Sequence, residues 1–463
     1  MLPEGFASRM KELLKEDYEA FAAALERENI KAFRLNPIKC DGTLPDELAP
    51  FKPTPISYYD LGYRYHGEGI GNTATHHAGG IYCQDPGAMS ALASLPIAGG
   101  WRVLDACSAP GGKSTQAAAM IGREGFLLAN EFVPQRAKIT VSNFERLGLT
   151  SAMVTSLDTR VLGELFEHYF DLVICDAPCS GEGMFRKYEV ALSEWSEENV
   201  RLCAKRQKEI LGNLADTVKD GGYLLYSTCT YAPEENELQV FDFLKHHPDF
   251  HLVSVSDAVE RATAPGAVFT DHEAAELDFE ARNQMQKFRR FYPHIEDGEG
   301  QFIALLRREN TGKIPRILYK DASSPLTKEE NRIARDFLSA TDLSADDLFL
   351  RRVGDYVVCI PHGMPVPPRS VFSAGVTLGE IRKGILFPHH QFFSAYGRHF
   401  HRRLELTSDD VRTDAYLRGE EIGVDLADGW CAVLYHGMPL GGGKVSSGRM
   451  KNHYPKGLRK KGG

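Results

Sequence analysis

Between residues 101 and 308, apolar runs alternate with helical segments at a regular rhythm, and this limits the fold more than any other feature of the chain. WRVLDA (101–106) reads as a strand, followed by the turn CSAPGGKS and the small-residue helix STQAAAMI. GFLLANE (125–131), SAMVTS (151–156), DLVICDA (171–177), YLLYSTC (223–229) and FIALLRR (302–308) read as further strands. The segments between them have helical spacing, including EENVRLCAKRQKEILGNLADTVKDGG, which is expected to run as one long helix to its glycines. DLVICDA is apolar without alternation, as a strand buried on both faces must be. The pattern predicts an α/β fold with a mostly parallel sheet and helices on both faces. In such sheets ligands bind beyond the carboxyl ends of the strands.

The flanking regions differ in texture. Phe6, Met10, Leu13, Leu14, Tyr18, Phe21 and Leu25 recur at helical spacing and predict one or two N-terminal helices. Residues 30–75 are rich in Pro, Gly and Tyr and read as short strands and turns. Together they suggest an N-terminal α+β module over 1–75, ahead of a core over 76–309. Beyond residue 310, short strands surround one helix near 327–340. A break at 365–390 divides this part into two small α+β or β modules, 310–388 and 389–463. The acidic stretch 271–280 reads as an exposed insertion.

The 463 residues carry a net charge of −9, which by itself disfavours a polyanionic partner. The charge is uneven, with a balance of −15 in residues 1–309 and +6 in 310–463. A basic end on an acidic body is either a polyanion-binding module or a solvated tail. No apolar run reaches the 18–20 residues or so of a membrane span. Nine cysteines stand singly, with no CxxC pair, so neither a disulfide framework nor a zinc module is expected. A reducing, cytoplasmic setting, no membrane, no metal and a monomer are the corresponding expectations.

The candidate chemistry sits at strand ends. In DACSAPGGKS (105–114), a glycine-rich turn lets backbone approach a ligand and aims a helix N-terminus at it. A phosphate loop needs glycine five positions before Gly112, and Cys107 stands there. A nucleotide hydrolase is therefore disfavoured. No dinucleotide GxGxxG is present either, which leaves the nucleoside–amino acid loop of an S-adenosylmethionine enzyme, with Cys107, Ser108, Ala109, Pro110, Gly111, Gly112 and Lys113 as its residues. Glu131, ending the next strand, can accept from both ribose hydroxyls. Asp158 can accept from an adenine amino group, or simply cap the helix that follows. Arg136 can pair with a cofactor carboxylate or stay solvated. Asp176 ends a buried strand, Pro178 presents Cys179, and Cys229 ends the next strand. Cys175, Cys203, Cys359 and Cys431 read as small buried hydrophobes.

These motifs resemble those of the Sun/Fmu-type RNA cytosine-5 methyltransferases. DACSAPGGKS is similar to that family's cofactor loop, and DAPCSGEGMF and STCTY to its two cysteine motifs. EENE (234–237), IYCQDPGAM (81–89), FRLNPIK (33–39) and PHIEDGEGQFIALL (293–306) also fit, and KNHYPKGLR (451–459) resembles the C-terminal extension of the F-type members. The resemblance implies a Rossmann-like class I methyltransferase core with a seven-stranded sheet, PUA-like RNA-binding modules at the C-terminus, and S-adenosyl-L-methionine as cofactor. It implies methylation of cytidine carbon 5 in 16S ribosomal RNA, or in an assembly intermediate of the small subunit. A thiolate adding to cytosine C6 makes C5 nucleophilic, and cysteine suits because its thiolate is already populated at neutral pH. The residues alone leave open which cysteine attacks: a Pro-Cys motif, as in DNA cytosine-5 enzymes, would favour Cys179. The RNA family implies Cys229 as nucleophile and Cys179 in product release. Asp176 would neutralise charge at N3, and Lys113 could lower a thiol pKa. Arg186 and Lys187 fall where the family carries basic residues near the target nucleotide. Lys444, Lys451, Lys456 and Arg459 are the candidate RNA contacts of the basic end. A non-catalytic ribosome-assembly factor is the competing reading, and the intact cysteines and Asp176 speak against it.

Overall fold

Every residue type at the centre of this protein answers to one sheet. The computed structural model describes residues 2–267, 283–361 and 363–460, so the acidic stretch 271–280 lies outside the described residues. Strands Arg102–Asp105, Phe126–Asn130, Ala152–Thr155, Phe170–Asp176 and Val218–Thr228 pair in parallel. Their spatial order places Phe170–Asp176 and Phe126–Asn130 on either side of Arg102–Asp105. The chain therefore reverses its direction of winding beside Arg102–Asp105, and a cleft opens at the strand ends there.

Alternate side chains of these strands go to opposite cores. Leu104, Leu128, Val173 and Leu224 enter one apolar cluster with the helices Thr159–Leu165 and Glu197–Leu214. Val103, Leu127, Leu172 and Leu225 enter another with Gly112–Ile121 and Pro134–Leu147. This is why the strands read as unbroken apolar runs. The sheet is larger than the seven strands expected. Ten strands are present among the described residues, because Phe250–Leu252, Ala264–Pro265, Arg289–Phe291, Gln301–Arg308 and Val371–Ala374 extend it with antiparallel pairings.

Two local expectations fail for identifiable reasons. The long helix ends at Leu214, and Val218 already pairs with Phe170 as strand. The carbonyls of Ala215 and Val218 are both taken by Arg308 Nη1 at 3.0 Å, which fixes the turn between helix and strand. The supposed break at 365–390 contains two strands in succession. Val371–Ala374 edges the central sheet, and Val376–Arg382 belongs to a four-stranded antiparallel sheet with Leu350–Val353, Tyr356–Cys359 and Ile385–Pro388. Gly375 joins them at φ +70°, and a Cβ there would lie 2.1 Å from the Cys359 carbonyl oxygen. Only glycine fits.

Helices Glu4–Leu14 and Tyr18–Leu25 bury Phe6, Met10 and Phe21 against Phe185, Tyr231 and Tyr292. A four-stranded antiparallel sheet follows, ordered Thr54–Ile56, Tyr59–Tyr65, Lys31–Leu35, Ile81–Cys83. Its FRLNPIK segment reaches three separate parts of the molecule. The buried Arg34 donates to Gln84 Oε1 at 2.8 Å, to the Gly112 carbonyl at 3.2 Å and to Thr115 Oγ1. Asn36 Nδ2 donates to the carbonyls of Gly79 and Leu147 at 2.8 and 2.9 Å. Lys39, fully buried, donates to Ser394 Oγ and the Pro439 carbonyl at 2.9 and 2.8 Å. Ser394 follows the four-stranded sheet, and Pro439 lies in the C-terminal five-stranded sheet spanning Arg403–Asn452.

Asn36→Ala strips the partner from two buried carbonyls and from the Ile38 amide that Asn36 Oδ1 accepts. It should destabilise the chain by about 2–3 kcal/mol, read as a lowered urea midpoint with little change in slope.

Candidate active site

The cleft at the reversal point has a volume of about 680 Å³. Its walls include Cys107 and Ala109 from the glycine-rich turn, Glu131 to Val133 from the next strand end, and Asp158 and Thr159. Asp176 to Cys179 and Cys229 close one side, and Arg206, Glu209, Ile210 and Asn213 of the long helix close the other. Eight of the residues singled out from sequence therefore share one cavity: Cys107, Ala109, Glu131, Arg136, Asp158, Asp176, Cys179 and Cys229.

The turn itself is built by its backbone. Gly111 has φ +109°, a conformation that a side chain would strain, and Gly112 starts the helix. Ser108 is buried and its amide donates to the Asn130 carbonyl at 2.8 Å. Pro110 offers its carbonyl to Asn143 Nδ2 at 2.9 Å. Ser108, Pro110, Gly111, Gly112 and Lys113 thus shape the floor and do not form the cleft wall. Beneath them, Asp105 is buried, with Oδ2 accepting from Ser114 Oγ at 2.5 Å. Burial, reinforced by Asp176, pushes its carboxyl up to about 7.

Lys113 does not reach a thiol. Its ammonium pairs with Asp176 Oδ2 at 2.8 Å, while Ser227 Oγ donates to Asp176 Oδ1 at 2.8 Å. Glu131 is buried, accepts from the Val133 amide at 3.0 Å and faces Arg136 at 3.6 Å. Arg136 also donates to the Ala109 carbonyl at 3.0 Å, so it ties the turn to Glu131. Asp158 caps its helix through the Arg160 amide at 2.9 Å while still lining the cleft. The two sulfurs, Cys179 Sγ and Cys229 Sγ, lie 3.3 Å apart. Contact with Cys229, then desolvation, holds the Cys179 thiol well above its ordinary value. Cys175, Cys203, Cys359 and Cys431 are buried in the core.

The basic candidates divide. Arg186 is corrected from an RNA contact to an internal strut. Its side chain is buried, and its donors go to Glu299 Oε1 at 3.0 Å, the Ala24 carbonyl at 3.1 Å and the Gly298 carbonyl at 2.8 Å. Each of its three nitrogens is engaged inside the protein, and burial keeps the group from a phosphate. Arg459 is half-buried over Gly419 and bonds the Tyr454 carbonyl, which fastens the tail. Lys187, Lys444, Lys451 and Lys456 are exposed. Lys444 and Lys451 oppose each other across paired strands, and neither has a carboxylate partner among the described residues.

Sequence reasoning missed the polar support behind the cysteines. Gln207 was legible: it interrupts the buried helical face Val200, Cys203, Leu211, Leu214 with an amide. Glu182 was not, because its partners Arg9, Trp195 Nε1 and the Tyr231 amide come together only in the fold.

The raised Asp105 carboxyl binds its proton more tightly when folded, so its contribution is complete below about pH 4 and fades as pH rises through about 7. Asp105→Asn, neutral throughout, should gain on wild type by about 3 °C in melting temperature between pH 5 and pH 8 without ligand. A difference that shrinks over that range contradicts this account.

Comparison with known proteins agrees with this geometry. Residues 93–307 match the family model "16S rRNA methyltransferase RsmB/F". Residues 2–86 match "N-terminal domain of 16S rRNA methyltransferase RsmF", and 403–460 match "Methyltransferase RsmF PUA domain". Ribosomal RNA small subunit methyltransferase F of Vibrio parahaemolyticus is 30% identical over 99% of this chain and 97% of its own length. The protein of that name from Cronobacter sakazakii is 31% identical over 100% and 97%. A methyltransferase homologue from Pyrococcus horikoshii superposes with a TM-score of 0.55 at 26% identity, over 66% of this chain and 95% of its own. NSun6 from the same organism, solved with SFG, an S-adenosylmethionine analogue, shares the fold at 19% identity and a TM-score of 0.55, over 66% of this chain and 98% of its own. The buried Glu131, the glycine turn at positive φ and a cleft large enough for a nucleoside and an amino acid fit that cofactor. With relatives matched over its whole length and family models over its core and both ends, the chain belongs to the 16S rRNA methyltransferase F family, whose members depend on S-adenosylmethionine.

Proposed function

We propose that this protein methylates carbon 5 of a cytidine in small-subunit ribosomal RNA through a covalent cysteine adduct. The observation that carries the reading is the pair of thiols 3.3 Å apart on the wall of the cofactor cleft. S-adenosylmethionine supplies the methyl group. Cys229 attacks: its thiolate adds to C6 and moves electron density to C5, which takes the methyl. Loss of the C5 proton then expels the thiolate and restores the ring. Cys179 serves release. A thiol held protonated is a poor nucleophile but can exchange a proton with its neighbour. Asp176 passes a proton to N3, drawn from the Lys113 ammonium bonded to it, and so offsets the charge that builds on the ring. Glu131 and Asp158 hold the nucleoside, with Arg136 bracing Glu131.

A cytosine inside a helix cannot reach such a wall, so the target is flipped out or lies in a loop. Lys187, Lys444, Lys451 and Lys456 supply phosphate contacts. Like charges placed directly opposite across strands repel, and the unpaired Lys444–Lys451 pair suits a polyanion. The protein works as a monomer, in the reducing cytoplasm where ribosomal RNA is made.

With labelled S-adenosylmethionine and small-subunit RNA, Cys229→Ala should lower transfer by about 10³-fold or more, and Cys179→Ala should accumulate a gel-stable protein–RNA adduct. The reverse pattern exchanges the two roles. No transfer by wild type to naked RNA, subunits or intermediates favours the assembly-factor reading. Lys444→Ala with Lys451→Ala should weaken RNA binding and flatten the log Kd against log salt slope by about 1.5. An unchanged slope removes these residues from the interface.

A further inference from the structure

Behind the two sulfurs lies a buried carboxylate to which the reaction above gives no part. Glu235 is fully buried, and no cation forms an ion pair with it among the described residues. Its Oε2 accepts the Ser180 amide at 3.0 Å and Gln207 Nε2 at 2.8 Å, and its Oε1 accepts the Ser180 hydroxyl. Gln207, also fully buried, donates to the Pro178 carbonyl at 3.0 Å. Both residues flanking Cys179 are therefore held from one point.

The other cysteine is joined to the same network. Ser180 Oγ lies 2.9 Å from Thr230 Oγ1, so the residues that follow Cys179 and Cys229 are bonded to each other. The Cys229 side is fixed in turn. Asn236 Nδ2 donates to the Thr230 carbonyl at 3.0 Å, Thr228 Oγ1 donates to Asn236 Oδ1 at 2.6 Å, and Tyr226 donates to the Glu235 carbonyl at 2.6 Å.

Burying a carboxyl without a cation is costly, and here desolvation pushes it up to about 7. Stability alone would be served better by an apolar side chain. What the carboxyl offers is three directed bonds reaching the irregular Pro178–Ser180 segment, which has no ladder of its own to hold it.

We propose that Glu235 is a positioning residue: through Ser180 and Gln207 it fixes the Cys179 segment so that the two sulfurs meet. The proposal rests on the reading of Cys229 and Cys179 as the reacting pair. Misplacing a reacting group by about 1 Å costs about 100-fold in rate.

The test uses the full chain as wild type, Glu235→Gln and Glu235→Ala. Glutamine can keep the geometry, with its oxygen toward the Ser180 amide and its NH₂ toward the Ser180 hydroxyl. One readout needs no RNA. Diamide takes two hydrogens from the thiol pair and leaves a disulfide, and the linked 179–229 peptide is timed by mass spectrometry. The other readout is the kcat and KM of methyl transfer. Glu235→Ala should close the disulfide about 10-fold more slowly and lower kcat about 100-fold, with KM within about 3-fold. Glu235→Gln should restore both to within about 3-fold of wild type. Closure at the wild-type rate in Glu235→Ala, or Glu235→Gln as impaired as Glu235→Ala, overturns the proposal. If Glu235→Ala does not fold, Ser180→Ala removes the hydroxyl part of the link and leaves the amide and Gln207 bonds, so closure slowed to a smaller extent is the expected result and closure at the wild-type rate overturns the proposal. Should wild type transfer no methyl to RNA, the cytidine reading fails while the closure rates still decide the positioning role.

Discussion

The level ending of three parallel strands is the constraint on which the site depends. Asp105 pairs in register with Ile174, and Asp176 with Ser227, so Arg102–Asp105, Phe170–Asp176 and Val218–Thr228 release their chains side by side. Parallel neighbours need long crossovers, so the three loops come from distant sequence. A glycine turn, an acidic strand end and two cysteines meet because the ladder leaves them no other place. A slip by one residue would turn every side chain to the opposite core.

Other parts of the molecule brace these loops from behind. Arg34 holds the start of the helix after the glycine turn, and Glu182 and Arg186 tie the segment after Cys179 to the N-terminal helices. Lys39 extends the connection to the C-terminal sheet. These are buried polar groups, expensive to desolvate and expensive to leave unpaired. Each therefore demands a particular geometry from its partners, which apolar contacts alone would not. The N-terminal module is in this sense part of the framework around the cleft.

Charge follows the same division. Asp105 and Glu235 are carboxyls pushed up to about 7 by burial, and both lie beneath the catalytic surface. Lys113, behind the wall, neutralises Asp176, which lines the cleft. Lys444, Lys451 and Lys456 stand exposed near the far end of the chain, on paired strands and the turn that follows them. An acidic body with a basic terminal module can attract a large polyanion while limiting its attachment to one side.

Much of this was legible from residues alone. Apolar runs joined by helical spacing specify a parallel core buried on both faces, because that periodicity is local and each strand carries it independently. The glycine turn, Glu131, Asp158, Asp176 and both cysteines were visible as polar exceptions at strand ends, whereas Gln207, an amide on an apolar helical face, carried a signal that was passed over. The tertiary structure alone decided which of these use their side chains internally. Arg186 reads as a free cation in sequence and becomes a strut only when Ala24, Gly298 and Glu299 converge on it. Lys113 chooses Asp176 over a thiol, and Val371–Ala374 joins a sheet whose other strands end at Arg308. Periodicity is written in neighbouring residues. The partner of a buried charge is set by contacts between residues far apart in the chain, and those exist only once the chain has folded.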